Sequence, residues 1–240
     1  MRFLLVHGGW QGGWCWTEVA SALEAAGHET FAPTLLGADP DAEVDLAEVD
    51  LSAIVAALGA ELEELDYRDF IAVGHSGGGP VIQALSERNP DRVAGLVFAN
   101  AWVLEDGESI YDAFPEDLSS QMRAVAAATP DRTIPITAEF WSEMLMSDVP
   151  REESERWLSR LAPSPEGWMA EAIDLPTFPR PGMPLHFIFL EDDKTVPRST
   201  LELFTSRLPE VRTTVAPGSH EAMLTRPREF AEALLRVTRR

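Results

Sequence analysis

Gly74-His75-Ser76-Gly77-Gly78 stands between an apolar run, Phe70–Val73, and a helical pattern carrying Val81, Ile82 and Leu85. A serine on a sharp turn from strand to helix has its hydroxyl exposed above the end of a sheet, placed to attack a carbonyl carbon. Gly74 and Gly78 fit a turn that brings the two backbones too close for side chains. A hydroxyl is a poor nucleophile until a base takes its proton, and that base needs an acid to orient it. Five histidines are available. His7 belongs to a strand-end turn, His28 follows the helix-stopping Gly27, His75 adjoins the serine, and His186 lies inside an apolar run. His220, in Ala216-Pro-Gly-Ser-His-Glu221, lies in a loop just after the last strand and is the candidate base. The acid is expected at the end of the preceding strand, where Glu191, Asp192 and Asp193 stand together. Asp193, four residues before Pro197, is the choice, with Asp192 as its competitor. Acyl transfer also needs N–H donors for the developing oxyanion. The Gly77 amide follows the nucleophile, and Gly8-Gly9 after the first strand lets a backbone approach substrate, with the Gly9 amide preferred.

The elements that must position these groups alternate between strand and helix. Phe3–Val6, Glu29–Ala32, Phe70–Val73, Val93–Ala99, Leu185–Leu190 and Val211–Val215 read as strands, several of them continuous apolar runs buried on both faces. Helical spacing falls on Trp16–Leu23, on Leu51–Leu65 behind an Asp50 cap, after Ser76, and from Glu221 to Val237. This alternation predicts an α/β fold with a mostly parallel sheet covered on both faces, its ligands at the C-terminal strand ends. Between about Ala101 and Gly182 the alternation stops and helical patterns take over. Ser164-Pro165-Glu166 there reads as an N-cap with proline at the first helical position. Residues 1–100 and 183–240 are thus expected to form the core, with 101–182 inserted as a helical cap over the site. Trp10, Trp102, Trp141 and Met223 are the expected pocket walls.

Composition narrows the function classes. At 240 residues the chain suits one sizeable domain, and its apolar runs fall well short of the roughly 18–20 residues of a membrane span. A net charge of −21 argues against nucleic acid and anionic membrane as partners. The single cysteine, Cys15, excludes an internal disulfide and agrees with a reducing compartment. Strand-like residues begin at Phe3, leaving no room for a signal peptide, so a cytoplasmic location is expected.

His7-Gly-Gly-Trp-Gln-Gly-Gly-Trp-Cys-Trp16, Gly74–Gly78, Asp193-Lys-Thr-Val-Pro197 and His220-Glu-Ala-Met223 resemble the α/β-hydrolase group containing plant methyl-ester esterases and hydroxynitrile lyases. Ala32-Pro-Thr-Leu35 and Glu105-Asp-Gly-Glu-Ser109 look still more like the bacterial esterase-like members of that group. The order Ser76, Asp193, His220 is the one expected of the fold. The resemblance spans nearly the whole chain, weakest from about Leu118 to Arg180. It implies a six-stranded core, a helical cap, no cofactor and ester hydrolysis as the default activity. The lyases of the group carry a threonine soon after the first strand and a lysine directly after the catalytic histidine. Gly8 and Glu221 stand there instead, and a carboxylate beside the histidine is expected to repel a leaving anion, so cyanogenic lyase activity is not expected. The expected function is a serine hydrolase of a small to medium, largely apolar ester. A tailoring enzyme cleaving a lactone, thioester or C–C bond with the same triad, and a non-enzymatic receptor, are the competing readings.

Overall fold

The computed structural model describes residues 1–239. β1 (Arg2–Val6), β2 (Glu29–Phe31), β3 (Phe70–His75), β4 (Val93–Ala99), β7 (Leu185–Leu190) and β8 (Arg212–Ala216) form one sheet in the order β2-β1-β3-β4-β7-β8. Every pairing in it is parallel. The continuous apolar runs arise because both faces are covered. In β1, Leu4 and Val6 enter one core while Phe3 and Leu5 enter the other. β4 divides in the same way, with Leu96 and Phe98 on one face and Val97 and Ala99 on the other.

Helices α1 (Thr17–Ala25), α2 (Leu51–Glu64) and α3 (Gly78–Arg88) follow the first three strands. Asp50 caps α2 as expected, its Oδ1 accepting from Ala53 N at 2.7 Å. The sheet order reverses between β1 and β3, so their C-terminal ends lie side by side, the crevice where open α/β sheets collect ligands.

The segment after β4 carries α4 (Glu116–Ala127), α5 (Ala138–Phe140) running into a π-helical turn over Trp141–Leu145, α6 (Arg151–Ser154) and α7 (Glu166–Ala170). It is not purely helical. Thr133–Ile134 (β5) pairs antiparallel with Ser164–Pro165 (β6), and Ile134 stands opposite Ser164. Ser164 is therefore no N-cap: it is committed to this ladder, and Pro165 occupies the capping position of α7. On the outside of the molecule Trp14, in the turn after β1, stacks on Trp157 of this segment. Their ring centres are 5.4 Å apart and their planes 10° apart, with the Arg160 guanidinium 4.5 Å from the Trp14 ring centre.

α8 (Arg198–Ser206), α9 (Ala222–Thr225) and α10 (Pro227–Thr238) complete the chain. The helical pattern expected from Glu221 onward is two helices, because Pro227 starts α10 and cannot continue a preceding turn. α10 buries Phe230, Leu234 and Val237 against the β1 face that holds Phe3 and Leu5, each contributing about 1.5–3 kcal/mol of apolar burial. Among the described residues no helix is long and apolar enough to cross a membrane.

Candidate active site

Ser76 sits one residue past β3 with φ at +51°, a left-handed conformation that a non-glycine residue holds only when its surroundings enforce it. They do so through hydrogen bonds: Ser76 N donates to Ala99 O at 3.3 Å, and Ser76 O accepts from Gly79 N and Trp102 N. The turn closes tightly, since a Cβ on Gly74 would stand 2.6 Å from Gly78 O. Ser76 thus heads α3, and the helix start places partial positive charge beside the hydroxyl.

His220 follows β8, and its carbonyl accepts from His75 Nε2 at 2.9 Å. Its ring Nδ1 lies 2.7 Å from Asp193 Oδ2 and 3.0 Å from Thr195 Oγ1. Asp193 is held from several sides. Thr195 N and Oγ1 donate to its Oδ1 at 2.7 and 2.6 Å, and Asn100 Nδ2 donates to its Oδ2 at 2.6 Å. A carboxylate so supplied with donors fixes the Nδ1–H tautomer of the imidazole. Among the described residues Nε2 has no hydrogen-bond partner, and His220 shares with Ser76 the wall of one cavity. The competing acid points elsewhere: Asp192 Oδ2 accepts from Gly218 N at 3.2 Å and braces the turn after β8.

The electrostatics follow from burial and pairing. Burial raises the Asp193 pKa, but His220 and the donated hydrogen bonds outweigh it and bring the carboxyl below its usual range. Burial lowers the His220 pKa, while the charge and hydrogen bond of Asp193 and the charge of Glu221 lift it above the ordinary histidine value. Glu221 itself is buried and pushed up to about 7 by desolvation. Its carboxylate accepts from Gln11 Nε2 and forms no part of the cavity wall. Glu221 therefore acts on the site through its charge beside His220 and not from the cavity wall. The lysine of the lyases is absent all the same.

The cavity measures about 180 Å³ and is bounded by aromatic and thioether side chains, with no acidic residue, lysine or arginine on its wall among the described residues. Gly9 and Gly77 border it, and a Cβ built on Gly77 would stand 3.8 Å from Gly9 N. The Gly9 nitrogen thus lies close to Gly77, the residue directly after the serine. Of the expected walls, Trp10 and Trp102 line the cavity. Trp141 and Met223 do not. Trp141 is fully buried with Leu145 and Met146, its Nε1 donating to Ser154 O at 2.9 Å. Met223 is fully buried behind the histidine loop, in the core that holds Phe3 and Trp16. Their places are taken by Phe140, Met144, Trp168 and Met169. Sequence reasoning missed Asn100 and Thr195. The available signal for Asn100 was a lone amide ending the apolar Val93–Ala99 run.

A model of the alpha/beta hydrolase family matches residues 3–233. A carbendazim hydrolyzing esterase from Nocardioides sp. (strain SG-4G) is 40% identical over 125 residues. That match covers 51% of this chain and spans about half of the relative, 51% of its length. Methylesterase 10 of Arabidopsis thaliana is 27% identical over 254 residues, covering 98% of this chain and 91% of that protein. Among solved structures, an extracellular alpha/beta-hydrolase from a Paenibacillus species superimposes with a TM-score of 0.93 at 27% identity, over 100% of both chains. It is described as sharing structural and functional homology with tobacco salicylic acid binding protein 2.

Proposed function

Because the chain belongs to the alpha/beta hydrolase family, we propose that it is a carboxylic ester hydrolase that works through an acyl-enzyme on Ser76. The observation carrying this reading is the Asp193–His220 pair facing the strained Ser76 across one apolar cavity. Ser76 Oγ attacks the ester carbonyl as His220 Nε2 accepts its proton, and Asp193 stabilises the imidazolium. The Gly9 and Gly77 amides bind the oxyanion, and collapse expels the alcohol, which takes the proton from His220. A water then gives its proton to His220, attacks the acyl-enzyme, and the acid leaves as Ser76 is reprotonated.

The substrate is a small to medium, largely apolar ester, since an uncharged wall of rings and thioethers stabilises no ionised group. Residues 101–182 form the cap that supplies most of this wall. The single buried thiol, Cys15, favours a reducing, cytoplasmic location, which cell fractionation checks against the extracellular placement of the Paenibacillus relative. The name of the 40% identical relative favours carbendazim as a specific substrate to include in the assay. The deciding experiment is labelling with a fluorophosphonate probe beside turnover of p-nitrophenyl esters. Ser76→Ala abolishes both, with a turnover loss of roughly 10⁴–10⁶. Activity within tenfold of wild type rejects the mechanism.

A further inference from the structure

Outside the cavity, hydrogen bonds from the inserted segment converge on two loops of the core. One is the loop after β1. Trp10, directly after Gly9, holds φ at +65°, a left-handed backbone that a bulky side chain disfavours. Three bonds keep it there. Trp10 N donates to Ser164 Oγ at 2.8 Å, Trp10 Nε1 donates to Ile134 O at 2.8 Å, and Ala162 N donates to Trp10 O at 2.9 Å. Ile134 and Ser164 are the facing pair of the β5–β6 ladder. That two-residue ladder therefore presents its acceptors together to one residue of the core. The other loop carries His220. Asp148 is 8% exposed and accepts from Ser219 Oγ at 2.6 Å and Thr225 Oγ1 at 2.8 Å, which bracket the histidine. Leu145 O, at the end of the π turn, accepts from Glu221 N at 3.2 Å.

We propose that Ser164 and Asp148 are positioning residues for the reaction. Ser164 fixes the Gly9 amide through Trp10, and Asp148 fixes His220 through Ser219 and Thr225. The proposal rests on the triad and oxyanion assignments above. Neither residue lines the cavity, so neither contacts substrate. The inserted segment is accordingly a fixed half of the catalytic apparatus, because lifting it would break both latches. The consequence is specific. Oxyanion stabilisation is felt in the transition state, so a slack Gly9 amide lowers kcat and spares ground-state binding.

The test compares Ser164→Ala, Ser164→Thr, Asp148→Ala and Asp148→Asn with wild type. Its readouts are steady-state kinetics on p-nitrophenyl butyrate, inhibition by an aliphatic trifluoromethyl ketone, and thermal melting. Displacing a catalytic group by a fraction of an ångström to an ångström costs up to about a hundredfold. The two alanine variants are expected to lose about tenfold to a hundredfold in kcat with KM near wild type. In Ser164→Ala, affinity for the ketone, whose hemiketal oxyanion needs the same amides, falls by the same factor as kcat/KM. Ser164→Thr and Asp148→Asn keep hydrogen-bonding groups at these positions and restore the rate. A folded Ser164→Ala with wild-type kcat, or with lowered kcat and unchanged ketone affinity, overturns the role of Ser164. If Ser164→Ala does not fold, the Asp148 pair decides: wild-type kcat in Asp148→Ala, or no rescue in Asp148→Asn, overturns the proposal. Fluorophosphonate labelling separates this from the parent reading. Latch variants that label at Ser76 and turn over normally reject only the latches, whereas an active Ser76→Ala rejects the mechanism itself.

Discussion

As the proposed base, His220 must be neutral to accept a proton from Ser76, and its surroundings favour the protonated form. Its pKa lies above the ordinary histidine value because Asp193 and Glu221 outweigh burial. Turnover is therefore expected to fall as pH drops through a midpoint above about 6.5. A pH–kcat/KM profile checks this, and a limb near pH 4 in folded protein points to a carboxylate base instead. Asp193→Asn loses the acceptor that fixes the tautomer and is expected to cost about 10⁴ in kcat. Asp192→Asn, acting on a turn, costs far less, and the reverse order of losses transfers the acid to Asp192. Glu221 gives a prediction of opposite sign for stability. Its folded pKa of about 7 exceeds its ordinary 4.5, so the folded state prefers the proton. The penalty is absent below pH 4.5 and grows as pH rises to about 7. Glu221→Gln should then gain up to a few kcal/mol at pH 8 and lose that advantage at pH 4, as paired thermal melts would show. Its amide also offers a donor to Gln11 Oε1, which lacks one. With the Glu221 charge gone, the acid limb of turnover moves to lower pH.

The turn over residues 140–145 divides its side chains between the cavity wall and the interior of the inserted segment. Phe140 and Met144, four residues apart, line the cavity, whereas Trp141 is fully buried with Leu145 and Met146. Phe140 is 40% exposed and packs edge-on against Trp10. Phe140→Ala is expected to change the relative kcat/KM of bulky and small esters by about tenfold or more with little loss of stability. Trp141→Ala is expected to cost about 3–5 kcal/mol of stability and leave that ratio intact, which melting and a paired-ester assay distinguish. The strands around Leu4, Val73 and Val97 were legible because burial on both faces leaves no polar interruption, and the Ser76 elbow because its spacing is local. Asp50 was legible as a cap for the same local reason. Ser164 carries the local signature of a cap, but a ladder to Thr133-Ile134, distant in sequence, overrides it. The Asn100 grip on Asp193 spans 93 residues and leaves no periodic trace.

Across the whole molecule, the net charge of −21 surrounds a cavity whose wall, among the described residues, carries no acidic residue, lysine or arginine. A neutral ester enters without an electrostatic cost, whereas an ester bearing a carboxylate must approach against the field. Raising salt shortens the screening length to about 10 Å at 0.1 M and less beyond. KM for an anionic ester is expected to fall with added salt while KM for a neutral analogue stays level, and parallel titration of both checks the field. Equal responses place the selectivity in the cavity alone. The Trp14–Trp157 stack joins the core to the inserted segment on the outer surface. Two indoles 5.4 Å apart couple their electronic transitions, and such coupling vanishes when the rings separate. The pair is thus a built-in optical gauge. A far-ultraviolet exciton couplet in wild type, absent in Trp157→Ala, would report the seating of the segment in real time during turnover, with no label attached.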